Sequence, residues 1–223
     1  MEQSPEPKTH FEIEQKEGVQ RRLTLESQVE VTGHDLIFLQ SILKEKFPDI
    51  TITDFSNLHF TWDHFGKPDD LFAELTAINP SLDRASFDKS LQKLLLRVEN
   101  SFSGEVVVEA SGFDLLGRGA VVLNLMSEDF MQVREVLYKS TTQFLDELGI
   151  ENPEEYISNS TYESNLHNSI PDRFKPHITI GRIEENNPEN QEIVKAIKLP
   201  SEKIEIVIKP SYIRNATRNE QKP

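Results

Sequence analysis

Two spacings of apolar residues run along this chain and divide it into helices and strands. Between positions 32 and 46, Leu36, Leu39, Gln40 and Leu43 fall on one stripe, and Thr32 stands where a helix takes a side-chain cap. Phe87, Leu91, Leu94, Leu95 and Val98 repeat the helical period over 83–100. The longest helical segment is 128–148, with Gly149 as its stop, and a shorter one covers 189–197. Short apolar or alternating runs predict strands at 22–25, 50–53, 106–108, 121–125, 204–208 and 212–213, with two more around His59 and His177. The glycine-rich stretch 112–119 reads as a hairpin connection, and 65–80 as loop with at most one helical turn. Short strands, hairpin-like links and interleaved helices predict an antiparallel α+β fold. Residues 1–18 are polar and rich in Pro and Glu, which predicts a disordered tail. Residues 19–215 then form a single domain, followed by a polar C-terminal tail at 216–223.

The strands around His59 and His177 share a pattern. Asn57-Leu58-His59-Phe60-Thr61-Trp62 and Lys175-Pro176-His177-Ile178-Thr179-Ile180 both read His, apolar, Thr, apolar. In a strand, successive side chains alternate between faces. His59 and Thr61 therefore share one face, as do His177 and Thr179, while Leu58, Phe60, Trp62, Ile178 and Ile180 point the other way. A lone His-x-Thr in a strand is usually packing; two copies in matching contexts, each after turn-forming residues, change those odds. The other four histidines, His10, His34, His64 and His167, carry no such pattern and read as ordinary.

Charge narrows the partners. The formal net charge is −14, and no long nucleic acid is expected along so acidic a chain, because polyanions bind through many Lys and Arg contacts. The sign reverses locally around the second copy, where Arg173, Lys175 and Arg182 outnumber Asp172. A nucleotide or a nucleic-acid end is compatible with that distribution. Cysteine is absent, which removes disulfides, thiolate chemistry and Cys-based metal sites. No apolar run reaches bilayer-spanning length, no basic-then-apolar leader is visible at Met1, and a cytoplasmic monomer is the default expectation.

The doubled pattern resembles the two-histidine (2H) phosphoesterase superfamily, in its LigT-type branch of 2′-5′ RNA ligase-like and cyclic phosphodiesterase proteins. The first copy with Phe65-Gly66 is similar to that branch's first motif. The stretch 174–182, Phe-Lys-Pro-His-Ile-Thr-Ile-Gly-Arg, is similar to the second motif with its trailing Arg and is the more specific of the two. Residues 111–125 are similar to the family's middle hairpin. Trp62 stands where an aliphatic residue is usual, and 151–170 looks like an insertion. The resemblance implies two pseudo-symmetric lobes of antiparallel sheet backed by helices, with one motif per lobe facing a central cleft. It implies a phosphodiesterase without cofactor or metal, acting on a 2′,3′-cyclic phosphate, a 2′-5′ linkage or a cyclic oligonucleotide. An enzyme degrading a nucleotide defence signal, a non-catalytic RNA-end or nucleotide-binding module, and a scaffold in which both patterns are strand packing stand as alternatives.

The residue types suit that chemistry. Histidine titrates near neutrality, so two of them can hold opposite protonation states and serve as base and acid. Thr61 and Thr179 would donate to the non-bridging phosphate oxygens. All four side chains should converge on one cleft, with the imidazoles about one phosphate apart. Asp63 and His64 follow the first copy closely enough to suggest a metal, but no carboxylate cluster accompanies them. Arg118, Arg182 and Tyr212 are the candidates for substrate binding. Arg182 lies an odd number of residues past Thr179, which sets it on the opposite face unless the strand bulges at Gly181. Arg182 is then read either as a structural ion-pair partner or as a phosphate contact.

Overall fold

The first strand lies in the middle of the sheet. A computed structural model describes residues 22–99, 102–161, 164–166, 169–199 and 204–216, so the tails expected at 1–18 and beyond 216 fall outside the described residues, as do His10 and His167. In it β1 (Arg22–Val31) pairs antiparallel with β3 (His59–Gly66) on one side and with β7 (Glu205–Ala216) on the other. The remaining strands are β2 (Thr51–Ile52), β4 (Val106–Leu116), β5 (Ala120–Met126) and β6 (His177–Arg182). Their order is β2-β6-β3-β1-β7-β4-β5, and β6 pairs with β5 as well. That extra pairing joins the two flanks: β6, β3, β1, β7, β4 and β5 form a closed antiparallel ring. Closure satisfies backbone groups that an open sheet would leave at its edges.

Six helices accompany the sheet: α1 (Gly33–Lys46), α2 (Pro68–Ile78), α3 (Arg84–Glu99), α4 (Asp129–Glu147), α5 (Pro153–Asn159) and α6 (Pro188–Ala196), counted among the described residues. In α1 the Thr32 hydroxyl accepts the Asp35 N–H as the cap, and Leu36, Leu39 and Leu43 are fully buried. Gln40 leaves the stripe to donate to the Thr53 carbonyl at 3.1 Å. Helix α2 corrects the loop expected at 65–80. Pro68 and the acidic Asp69 and Asp70 suit a helix start, and Leu71 and Leu75, four apart, bury its inner side. Two apolar anchors are too few for the period to stand out in sequence. Gly112 also moves, from the connection into β4, leaving 117–119 as the turn. The strands expected at 204–208 and 212–213 are one, β7. Pro210 interrupts nothing because the β1–β7 register slips beside it, between Ser27 and Val29.

One hydrophobic cluster runs through the molecule. On the side of β3 that carries Phe60 and Trp62, Phe60 stacks on Phe130 of α4 at 5.1 Å between ring centroids, and Trp62 meets Phe130 edge-on. The helices thus cover the apolar face of β3, and the face with His59 and Thr61 lies inside the ring. The segment resembling an insertion supplies α5 and seats itself on α2. There Glu74 accepts hydrogen bonds from the Tyr156 hydroxyl, the Ser164 hydroxyl (2.7 Å) and the Asn165 side chain (3.0 Å) beside a cavity of about 500 Å³. Burial would raise this carboxyl, but the donors outweigh it and hold it below the ordinary range. Among the described residues no helix is long and apolar enough to cross a membrane.

Candidate active site

Strands β3 and β6, which carry the two His-x-Thr copies, are neighbours. Their bridge is Phe60 to Ile178, both fully buried. Antiparallel pairing about that point carries His59 toward Thr179 and Thr61 toward His177, all four partly exposed on the inner face. The bridge is also a local two-fold. Gln28 of β1 stands opposite His59, as Asn124 of β5 stands opposite His177. Glu26 stands opposite Thr61, as Val122 stands opposite Thr179.

The symmetry extends to an irregularity in each strand. On β3, Glu26 pairs with Thr61 but Leu25 pairs with Asp63, so Trp62 is an extra residue. On β6, Val122 pairs with Thr179 but Val121 pairs with Gly181, so Ile180 is extra. A bulge of one residue resets the alternation. Trp62 and Asp63 both turn to the core (1% exposed each), and His64 returns to the inner face. Ile180 and Gly181 do the same, and Arg182 returns with the inner face's parity. Both Arg182 and His64 thus have the parity of the inner face.

Each bulge has a local cause. Asp63, inside, meets Arg134 of α4 at 3.4 Å with both side chains fully buried. Arg134 also donates to the Trp62 carbonyl and lies 4.6 Å over the Phe174 ring. The Ser169 hydroxyl donates to Asp63 Oδ2 at 3.2 Å, the His64 N–H donates to Oδ1 at 2.8 Å, and the Trp62 indole donates to the Ser27 hydroxyl at 2.8 Å. On β6 the cause is space. A Cβ on Gly181 would lie 2.9 Å from Ile50 Cδ1 and 3.2 Å from the Thr51 carbonyl oxygen, where β2 presses in.

The two histidines are held alike. His59 Nδ1 lies 2.9 Å from the Asn57 carbonyl and His177 Nδ1 lies 2.6 Å from the Lys175 carbonyl. A carbonyl only accepts, so each Nδ1 carries the proton and donates, and each Nε2 is left for the groove. Burial pushes the His177 imidazole below its ordinary value, and the charge of His59 pushes it the same way against the Lys175 carbonyl and Asp114. His64 is lowered too, by its protein surroundings first, although its edge is exposed to solvent.

The walls differ. Beside the first copy, Glu26 (4% exposed) takes a hydrogen bond from the Thr24 hydroxyl at 2.9 Å and a salt bridge from Arg214 at 3.3 Å. Tyr212 stands opposite Glu26 on β7, and burial together with the Glu26 charge raises its phenol. Beside the second copy the corresponding positions are Val122 and Ala120. Of the sequence candidates, His59, Thr61, His177, Thr179 and Tyr212 therefore share one face. Arg182 joins its end, donating to the Arg118 carbonyl at 3.2 Å, while Arg118 itself sits exposed at the tip of the β4–β5 turn. The inner-face Glu26 and Arg214 were not singled out from sequence, and His64 entered only as an ordinary histidine or, with Asp63, as a suggestion of metal. The signal for His64 was its own position, a polar side chain where unbroken alternation from His59 and Thr61 asks for the core. Among the described residues no group of three or more His, Asp or Glu is placed to hold a metal ion, and Asp63 points away from His64's face.

No family model and no curated protein matches the chain. Solved structures do. LigT of E. coli complexed with NADP+ shares 14% identity over 89% of this chain and 93% of that one, with a TM-score of 0.45. A structure described as a phosphoesterase shares 12% over 89% and 99%, with a TM-score of 0.44. TT0787 of Thermus thermophilus shares 14% over 86% and 83%, with a TM-score of 0.41. Other LigT structures hold phosphate, 3′-AMP or ATP. The chain is similar to these proteins at a distance that says nothing of what it does, and its function has to be read from its own residues.

Proposed function

We propose that the chain is a metal-independent phosphodiesterase acting on a small nucleotide or an RNA terminus, with a 2′,3′-cyclic phosphate, a 2′-5′ linkage or a cyclic oligonucleotide as its scissile group. The observation that carries this reading is the pair of imidazoles on one face, each with Nδ1 tied to the carbonyl two residues upstream and Nε2 free. A phosphodiester centred on the local two-fold meets one imidazole on each side and one hydroxyl on each side. His177, disfavoured as a cation by burial and by His59, is the base. Its Nε2 takes a proton from water, the water oxygen attacks phosphorus, the bond to the ribose oxygen breaks, and His59 Nε2 protonates that oxygen. Thr61 and Thr179 donate to the non-bridging oxygens as charge gathers there. Arg182 and Arg118 serve the phosphate from one end, and Tyr212 faces the ribose or base from the side.

The test is a panel of cyclic phosphates and 2′-5′ and 3′-5′ oligonucleotides assayed in chelator. At least one diester should turn over, and His59→Ala or His177→Ala should each slow it by about 10²–10⁴-fold while the protein stays folded. The rate should be bell-shaped in pH, reporting the pair rather than either residue. Full activity in either folded variant ends the mechanism. Nucleotide binding without turnover by the wild type points to the non-catalytic module instead.

A further inference from the structure

The two bulges give each His-x-Thr strand a third inner-face side chain, His64 on β3 and Arg182 on β6. Because the strands run antiparallel, the order along them is Arg182, then His59 with Thr179, then Thr61 with His177, then His64. Successive same-face positions on a strand are about 7 Å apart, comparable to the spacing of successive phosphates along a nucleotide chain. Counted from the local two-fold on which the scissile phosphate is centred, His64 lies one and a half such steps away, about 10 Å along the strand, on the side away from Arg182.

The surroundings of His64 suit an anion. Thr24 stands opposite it on β1 and Arg214 stands opposite Thr24 on β7. Arg22 occupies the next same-face position of β1 and is exposed. The charges that bear on His64 are Asp63 on its own strand, Arg22 and Glu26 on β1, and His177 on β6. Both carboxylates are engaged elsewhere: Asp63 faces the core beside Arg134, and Glu26 is held by Thr24 and Arg214. What faces a ligand at this end of the groove is an imidazole with the Arg22 guanidinium near it and the Glu26–Arg214 ion pair alongside, in a protein whose net charge is −14.

We propose that His64 binds a second phosphate, the neighbour of the scissile one along the chain, so that the groove selects nucleotides or oligonucleotide ends carrying at least two phosphates. This rests on the phosphodiesterase reading for its scissile centre. A purely structural role for His64 is a poor fit, because its side chain is exposed and its hydrogen bond to Asp63 is made by the backbone N–H rather than by the ring. The surrounding protein, Arg22 and His177 lower the imidazole against Asp63 and Glu26. An arriving phosphate favours the charged form and draws a proton in.

The test is titration calorimetry of adenosine 3′,5′-bisphosphate and adenosine 3′-monophosphate at pH 6 and pH 8, on the wild type, His64→Ala and His64→Arg. The wild type should bind the bisphosphate about tenfold tighter than the monophosphate at pH 6, the worth of one charge-assisted contact. The gain should shrink at pH 8, vanish in His64→Ala, and persist at both pH values in His64→Arg. A gain in His64→Ala equal to the wild type's, or no gain in the wild type, overturns the proposal. The readout is binding, so it separates from the parent reading. Turnover of a cyclic phosphate with no bisphosphate gain rejects His64 alone, and a gain that depends on His64 without turnover of any diester rejects the hydrolytic reading alone.

Discussion

Replacing Asp63 with Asn tests whether the buried ion pair shapes the site. The substitution keeps the side chain's size and removes its charge, leaving the Arg134 guanidinium in the core with its hydrogen bond to the Trp62 carbonyl but without the Asp63 carboxylate. Both partners are 0% exposed, so solvent does not screen the loss. Breaking one side of such a pair costs about 3–5 kcal/mol. For a protein of this size each kcal/mol lowers the melting temperature by about 2–4 °C, so the drop should lie at roughly 6–20 °C by thermal melting. Replacing both partners, Asp63→Leu with Arg134→Met, should cost clearly less than the two single changes summed, because no charge is then stranded. If the bulge depends on the pair, the His64 ring resonances should also move in the single variant. A loss below about 2 °C in Asp63→Asn, or strict additivity in the double variant, would refute the reasoning.

The remaining predictions concern the groove and the hairpin beside it. By NMR titration His177 should protonate below the ordinary 6.5, and His59→Gln should raise it, because a lowering charge is gone; no response means that the two rings do not share a site. Since the unfolded chain takes those protons first, the lowered His177 and His64 should cost stability as pH falls through about 6.5, a loss that urea titrations across that window will read and that His64→Ala should lessen. Thr61→Val and Thr179→Val should each lower kcat by about 10²-fold with the fold intact, if each hydroxyl serves a developing oxyanion. Gly119→Ala should destabilise by about 1–3 kcal/mol in chemical denaturation, since its φ is +90° and an added Cβ would lie 2.1 Å from the Ile183 carbonyl oxygen.

Much of the architecture was legible because it is periodic. The stripes of α1 and α3 and the alternation of β3 up to Trp62 follow from burying one face, and sequence records burial well. Helix α2 was lost because two leucines do not make a period. The ring was not legible, since it depends on β5 finding β6 and β1 finding β7, and pairing between distant strands leaves little local trace. The site divides the same way. Four side chains stand out through a repeated pattern, while His64 reads as ordinary because nothing local to it announces the bulge. At that bulge Asp63 meets Arg134 on another element, a contact invisible to any local window. For Arg182 the glycine beside it flags the irregularity, so sequence leaves its face open between the two sides of the strand.

The pairing of β1 with β7 sets the order in which this molecule can be made. Almost the whole described chain lies between these two strands, yet they are central neighbours in the sheet. Until β7 arrives, β1 and β4 each present an unsatisfied backbone edge, and nothing holds the halves that carry β3 and β6 in a ring. Contacts at such separation require a large loop to close before they return any stabilisation, which slows folding toward the millisecond-to-second range typical of non-local β topologies. A growing chain would therefore carry the β1 edge for most of its synthesis and the β4 edge with it from residue 116 until β7 arrives, the state in which nascent proteins most depend on chaperones.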